Sequence, residues 1–220
     1  MAAMSRDAAL VLCALLCAAP ARAQGWTKAK QTKDGIVIYT RDSSGSRVKE
    51  VKAETVIDAT PEQVWQSLMD RDTYKSVSKH VEVNTITKTA KESVWYIYQR
   101  FAFPMISKRD YTLRYESFED PKAGSYRLVW AVANERGPAP QRGVVRVTRC
   151  GGHFTLRPHN DRHHTSLVYW LHMDPGGSVP AWIANIANRS SVPDLVRAVR
   201  DGALRRHARG AAAINKKSSR

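Results

Sequence analysis

Cysteine is scarce in this sequence. There are 3 in 220 residues, and Cys13 and Cys17 both fall in the first 23. Cys150 is left alone in the remainder, so no intramolecular disulfide is available there and the fold must rest on its core. Acidic residues are also few, with 20 Asp and Glu against 35 Lys and Arg and a net charge of +15. That surplus suits an anionic partner, either nucleic acid or a membrane surface, or it serves solubility alone. No apolar run is long enough to cross a bilayer. HExxH, GxSxG, a Gly-rich phosphate loop and paired-cysteine motifs are all missing. These absences argue against a disulfide scaffold, a helical membrane protein and the commoner motif-bearing enzymes.

What is present begins with a leader. Arg6 precedes a short apolar run from Ala8 to Ala19, and Ala21-Arg22-Ala23 has small-x-small spacing. Residues 1–23 therefore resemble a secretory signal peptide, with the mature chain starting at Gln24 and exported, periplasmic or secreted, as a soluble protein. A domain over 24–205 and a basic, disordered tail over 206–220 follow from length and composition.

Within the domain, Gly35 to Arg41 and Val48 to Asp58 form a hairpin. Thr60-Pro61-Glu62-Gln63 is a capping box with Pro at the first helical position, and Val64, Trp65, Leu68 and Met69 share one helix face. Strands are expected near 80–88, 93–101, 109–118, 125–133, 143–149, 153–157 and 165–173. Asp174-Pro175-Gly176-Gly177 is a strong turn. The helix after it would be capped by Ser178, with Pro180 in its first turn. Trp182, Ile183, Ile186, Val192, Leu195, Val196 and Val199 make its apolar stripe, and Pro193 is placed to kink it. The order predicts an α+β fold, a curved antiparallel sheet curling around a long C-terminal helix, with the gap between them as the working part.

Candidate site residues come from strand faces. From Arg109 onward, Arg109, Tyr111, Leu113 and Tyr115 point one way, and Asp110, Thr112, Arg114 and Glu116 point towards water. A guanidinium on the apolar side either anchors a polar ligand group at the end of an apolar pocket, folds back to solvent from the strand end, or is paired structurally. Tyr96, Tyr98, Trp130 and Tyr169 offer aromatic walls whose polar tips suit an amphipathic ligand. His153, His159, His163 and His164 cluster near a turn and read as solvated, so neither a metal nor a cofactor is expected.

Several segments together are similar to a known family. Gly35-Ile36-x-Ile38-Tyr39-Thr40-Arg41, Lys49 to Ala53, Thr60-Pro61-Glu62-x-Val64-Trp65, Phe103-Pro104 and Lys108-Arg109-Asp110 occur in order. Gly143 to Arg146, Tyr169, Asp174 to Gly177, Pro180-Ala181-Trp182 and Asn185 follow. This series resembles the START domain, the lipid-binding module related to steroidogenic acute regulatory protein. The resemblance implies a helix-grip fold with an internal hydrophobic cavity and binding or transfer of one lipid or sterol rather than catalysis. Arg109 would match the family's Arg-Asp pair, the helix from Val179 would be a lid at the membrane, and Trp182 and Asn185 on it would be ligand-binding residues. Met105 stands where many relatives carry an aromatic. Expected partners are a hydrophobic ligand and, transiently, an anionic membrane, for a monomer that does not bind nucleic acid. A cyclase- or hydrolase-like enzyme of the helix-grip superfamily is the alternative.

Overall fold

The computed structural model describes residues 25–70, 73 and 80–218. The expected leader and most of the polar connection at 72–78 lie outside the described residues. Strands β1 (Thr27–Gln31), β2 (Val37–Ser43) and β3 (Ser46–Ile57) precede helix α1 (Pro61–Met69). Then come β4 (Val81–Lys88), β5 (Val94–Phe101), β6 (Lys108–Asp120), β7 (Ser125–Val132), β8 (Val144–Arg146), β9 (Arg149–His159) and β10 (Asp161–Asp174). Helix α2 (Ala181–Ser218) is the last described element. The strands form one sheet in the order β1-β2-β3-β10-β9-β7-β6-β5-β4, with β8 paired to β6. Neighbours along that path are antiparallel, and only the β6–β8 pair is parallel. The expected fold class is borne out.

Local chemistry sets the elements. The Thr60 hydroxyl accepts from the Gln63 amide at 3.3 Å and the Gln63 side chain accepts from the Thr60 amide at 3.0 Å, which satisfies two open donors at the start of α1. In the turn ahead of α2, Gly176 and Gly177 take φ of 62° and 63°, backbone that residues with a Cβ rarely adopt. Strand β1 has no apolar alternation, and all five of its residues are exposed. It forms by pairing with β2, so its sequence carries no period-two signal.

Helix α2 departs from expectation in three ways. It starts at Ala181, with the Pro180 carbonyl accepting from the Ile183 and Ala184 amides at 3.0 and 3.2 Å, so Ser178 lies outside it and does not cap it. It passes Pro193 without a break and runs to Ser218, where a disordered tail was expected. An Ala-rich segment there favours continuing the helix. Finally, its apolar stripe is split. Val192, Val196, Val199 and Ala203 are at most 1% exposed, whereas Trp182, Ile183 and Ile186 are exposed.

The two halves of α2 are also held differently. Downstream of Pro193, Arg197 and Arg200 both grip Asp34 in the β1–β2 turn, with Arg197 Nε 2.9 Å from Asp34 Oδ2. Ser67 of α1 donates to the Val199 carbonyl at 2.7 Å, and Arg206 pairs with Asp70. Upstream, the ties are amide side chains. Asn185 bonds the Lys49 amide (2.6 Å) and the Arg47 carbonyl (3.3 Å), and Asn188 bonds the Met173 carbonyl (2.8 Å).

Candidate ligand-binding cavity

Alternation along the strands puts a continuous set of side chains on the concave face of the sheet. Trp95, Tyr115 and Trp130 are successive partners across β5, β6 and β7. Their rings stack at 5.6 Å (Trp95 to Tyr115) and 5.8 Å (Tyr115 to Trp130). Trp130 in turn contacts Phe154 and Tyr169, each at 5.8 Å between centroids. Helix α2 does not lie against this half of the sheet. It packs on α1 and β3, and the space left between helix and aromatic wall is a cavity of about 1050 Å³. That is at the upper end of the roughly 300–1,000 Å³ usual for ligand pockets.

The far side of the cavity is closed by Leu68 and Met69 of α1 and by Ser191, Val192 and Leu195 of α2. Lys88 and Glu92, beside the β4–β5 turn, are its charged lining residues. Within, burial pushes the Tyr111 and Tyr115 hydroxyls well above their ordinary range, and the nearby Cys150 thiol adds to this. Burial likewise pushes that thiol up to about 12. These groups are therefore neutral at physiological pH, and the inner wall is uncharged. The described residues include no cluster of His, Cys, Asp and Glu suited to a metal ion.

Beyond the rung that holds Tyr111 stands Arg109, on the same face of β6 and paired across to Phe101. It is 2% exposed. One guanidinium nitrogen donates to the Ser107 carbonyl, and Nε has no partner. The tip lies under the turn before α2, where a Cβ on Gly177 would sit 3.6 Å from Nη2. Burial, with no counter-ion among the described residues, disfavours the charged form and lowers its pKa.

Its neighbour behaves oppositely. Asp110 was expected to face water, yet it is 1% exposed and Thr112 is equally buried. The segment that follows β7 folds back over this part of the outer face. Arg146 of β8 donates to both Asp110 oxygens at 2.7 and 3.0 Å, Tyr98 donates at 3.1 Å, and the Asn134 side chain accepts from the Thr112 amide at 2.9 Å. The loop's polar composition gave no sign that it would cover a strand.

Of the residues expected at the site, Tyr111, Trp130 and Tyr169 line the cavity. Arg109 lies just past its end. The other four lie elsewhere. Tyr98 bonds Asp110 on the outer face, and Tyr96 is on that same face with the Arg136 guanidinium 5.8 Å from its ring centroid. Trp182 is 65% exposed, and Asn185 ties α2 to β3. The β5 assignment failed because both faces of that strand are bulky, and burial of Tyr98 by a distant loop left no trace in its alternation. The inward set of β5 is Trp95, Ile97, Gln99 and Phe101. Tyr115 shares the inward face of Arg109 and could have been named from that alternation. Trp95, Gln99 and Phe154 were also missed.

A curved antiparallel sheet that grips a long C-terminal helix over an internal cavity defines the helix-grip class. The START domain profile matches residues 7–209, and the chain belongs to that family. Human phosphatidylcholine transfer protein is 28% identical over 167 residues, covering 74% of this chain and 77% of the relative. A STAR-related lipid transfer protein from Xanthomonas axonopodis superposes with a TM-score of 0.67 at 26% identity, over 81% of this chain and 98% of that one. Human StAR-related lipid transfer protein 5 has the same fold, with a TM-score of 0.68 at 18% identity, over 83% and 88% of the two chains. Family and relatives together support lipid binding or transfer.

Proposed function

We propose that the protein takes one lipid into the cavity between the sheet and α2 and transfers it at an anionic membrane surface. The observation that carries this is the cavity of about 1050 Å³ with an uncharged aromatic inner wall and a buried cation, Arg109, at its end with no counter-ion among the described residues. Removing apolar ligand surface from water gives about 25 cal/mol per Å², and the cation fixes the end that bears a polar or anionic head. The names of the curated relatives make phosphatidylcholine the first ligand to try. A carrier role, rather than catalysis, is supported by the family and by the phosphatidylcholine transfer relatives.

Gating belongs to the end where the β5–β6 loop meets the start of α2. Met105 is fully exposed and Phe103 and Ile106 are partly so. Trp182, Ile183 and Ile186 are exposed on the helix half that lacks the Asp34 clamp. Pro193 leaves the Arg189 carbonyl without its helical donor and so marks the place for the upstream half to swing. The apolar side chains insert between headgroups while Lys and Arg add about 1 kcal/mol each at an anionic surface. The protein acts as a monomer, with no nucleic-acid partner, after export and removal of residues 1–23. Co-sedimentation with phosphatidylserine-containing vesicles tests the membrane step: binding should weaken as salt rises, and salt-independent binding overturns the electrostatic part. Intact mass of the secreted protein tests the leader, with Gln24 as the expected first residue.

A further inference from the structure

The cavity wall is not uniformly apolar. Asn84, Gln99 and Tyr111 are successive partners across β4, β5 and β6, and all three line the cavity. They make one polar rung between the Arg109 rung and the apolar rung of Ile86, Ile97 and Leu113. Within it the Tyr111 hydroxyl donates to Gln99 Oε1 at 2.8 Å. That bond uses the acceptor end of the Gln99 amide and leaves its two N–H donors with no described protein partner. The Asn84 amide, nearer the sheet edge, makes no described side-chain bond either. Asn84 is exposed at the sheet edge and keeps water, whereas Gln99 is half-buried, so a ligand that fills the cavity without a neutral acceptor at this level leaves the Gln99 donors desolvated and unpaired.

The spacing narrows the class. Side chains two residues apart on one strand face are about 7 Å apart along the strand, so the Gln99 rung stands one such step from the rung that carries Arg109. A glycerophospholipid carries its anionic phosphate and its ester carbonyls on opposite sides of a short glycerol bridge, followed by hydrocarbon. A sterol has one hydroxyl and no second acceptor. We infer that the Gln99–Asn84 rung receives the ester carbonyls of a diacyl lipid and makes the cavity discriminate ester-linked from ether-linked chains. This rests on the lipid-carrier reading above and specifies its ligand.

The test compares diester and diether phosphatidylcholine of equal chain length, each loaded from vesicles and read by native mass spectrometry of the full protein. Wild type should favour the diester about five- to tenfold, the worth of one neutral hydrogen bond. Gln99→Leu should lower diester loading to the diether level and leave diether loading unchanged. Asn84→Leu, at an exposed position outside the core, should reduce the preference in part, and it serves if Gln99→Leu does not fold. Equal loading of both lipids by wild type, or a full diester preference in both variants, overturns the inference while leaving the carrier reading standing. Loading of neither lipid by wild type overturns the assignment of ligand and of rung together, and loading of neither that or any other vesicle lipid overturns the carrier reading itself.

Discussion

Gly152 is where the cavity wall is least tolerant of added volume. It pairs with Trp130 on β7 and Leu171 on β10, and the Trp130 indole lies across it. A Cβ there would stand 2.3 Å from Trp130 Cζ2 and 2.4 Å from the Trp170 carbonyl oxygen. The carbonyl belongs to the β9–β10 ladder and cannot retreat without disturbing that pairing. The indole can move only by leaving its stacks on Tyr115 and Tyr169 and entering the cavity. Overpacking of this kind costs about 2–3 kcal/mol, which for a chain of this size lowers Tm by about 4–10 °C. Gly152→Ala should therefore lose stability and also lipid loading. Gly151→Ala is the control, because its nearest neighbour would be the Trp130 carbonyl at an ordinary 3.4 Å. Thermal unfolding and native mass spectrometry of both variants decide the matter. A Gly152→Ala protein as stable and as loadable as wild type would refute the placement of Trp130.

Other perturbations follow from the same geometry. Asp110→Ala should cost about 3 kcal/mol in urea unfolding, because it strands Arg146 and the Tyr98 hydroxyl in a buried site. Asp34 is held far below the usual carboxylate range, chiefly by Arg197 and then by Thr32 and Arg200. Its contribution is therefore complete above pH ~4 and is lost as pH falls through the folded value. Wild type should lead Asp34→Asn in stability at pH 7, and the gap should narrow below pH ~4; a gap independent of pH would contradict the clamp. Cys150, with its thiol pushed up to about 12, should resist a thiol-specific reagent at pH 8 until the protein is unfolded.

Much of the framework was legible in the sequence because strands such as β3 and β6 alternate and strong turns punctuate the chain. Thr60 to Gln63 specified the start of α1 down to its hydrogen bonds. Other features depend on tertiary contacts that leave no local signal. Strand β1 exists because β2 offers it an edge. The outer face of β6 is dry because the chain returns through Arg146 to cover it. In α2 the apolar stripe is continuous in sequence, but Val192, Val196 and Val199 are buried whereas Trp182, Ile183 and Ile186 are exposed. Periodicity identifies an apolar face without saying what will meet it, so the stripe carries no sign that Trp182 stays exposed. Alternation placed Tyr111, Trp130 and Tyr169 correctly on inward faces, whereas on β5 it could not choose between two bulky faces.

The central claim is that the cavity holds a lipid, and native mass spectrometry of the purified protein, followed by organic extraction and lipid analysis, tests it most directly. The account predicts a discrete added mass that disappears on extraction, appears in the extract as a lipid, and can be restored by phosphatidylcholine vesicles. A protein that stays at its bare mass after purification and after exposure to vesicles of mixed lipids would contradict it.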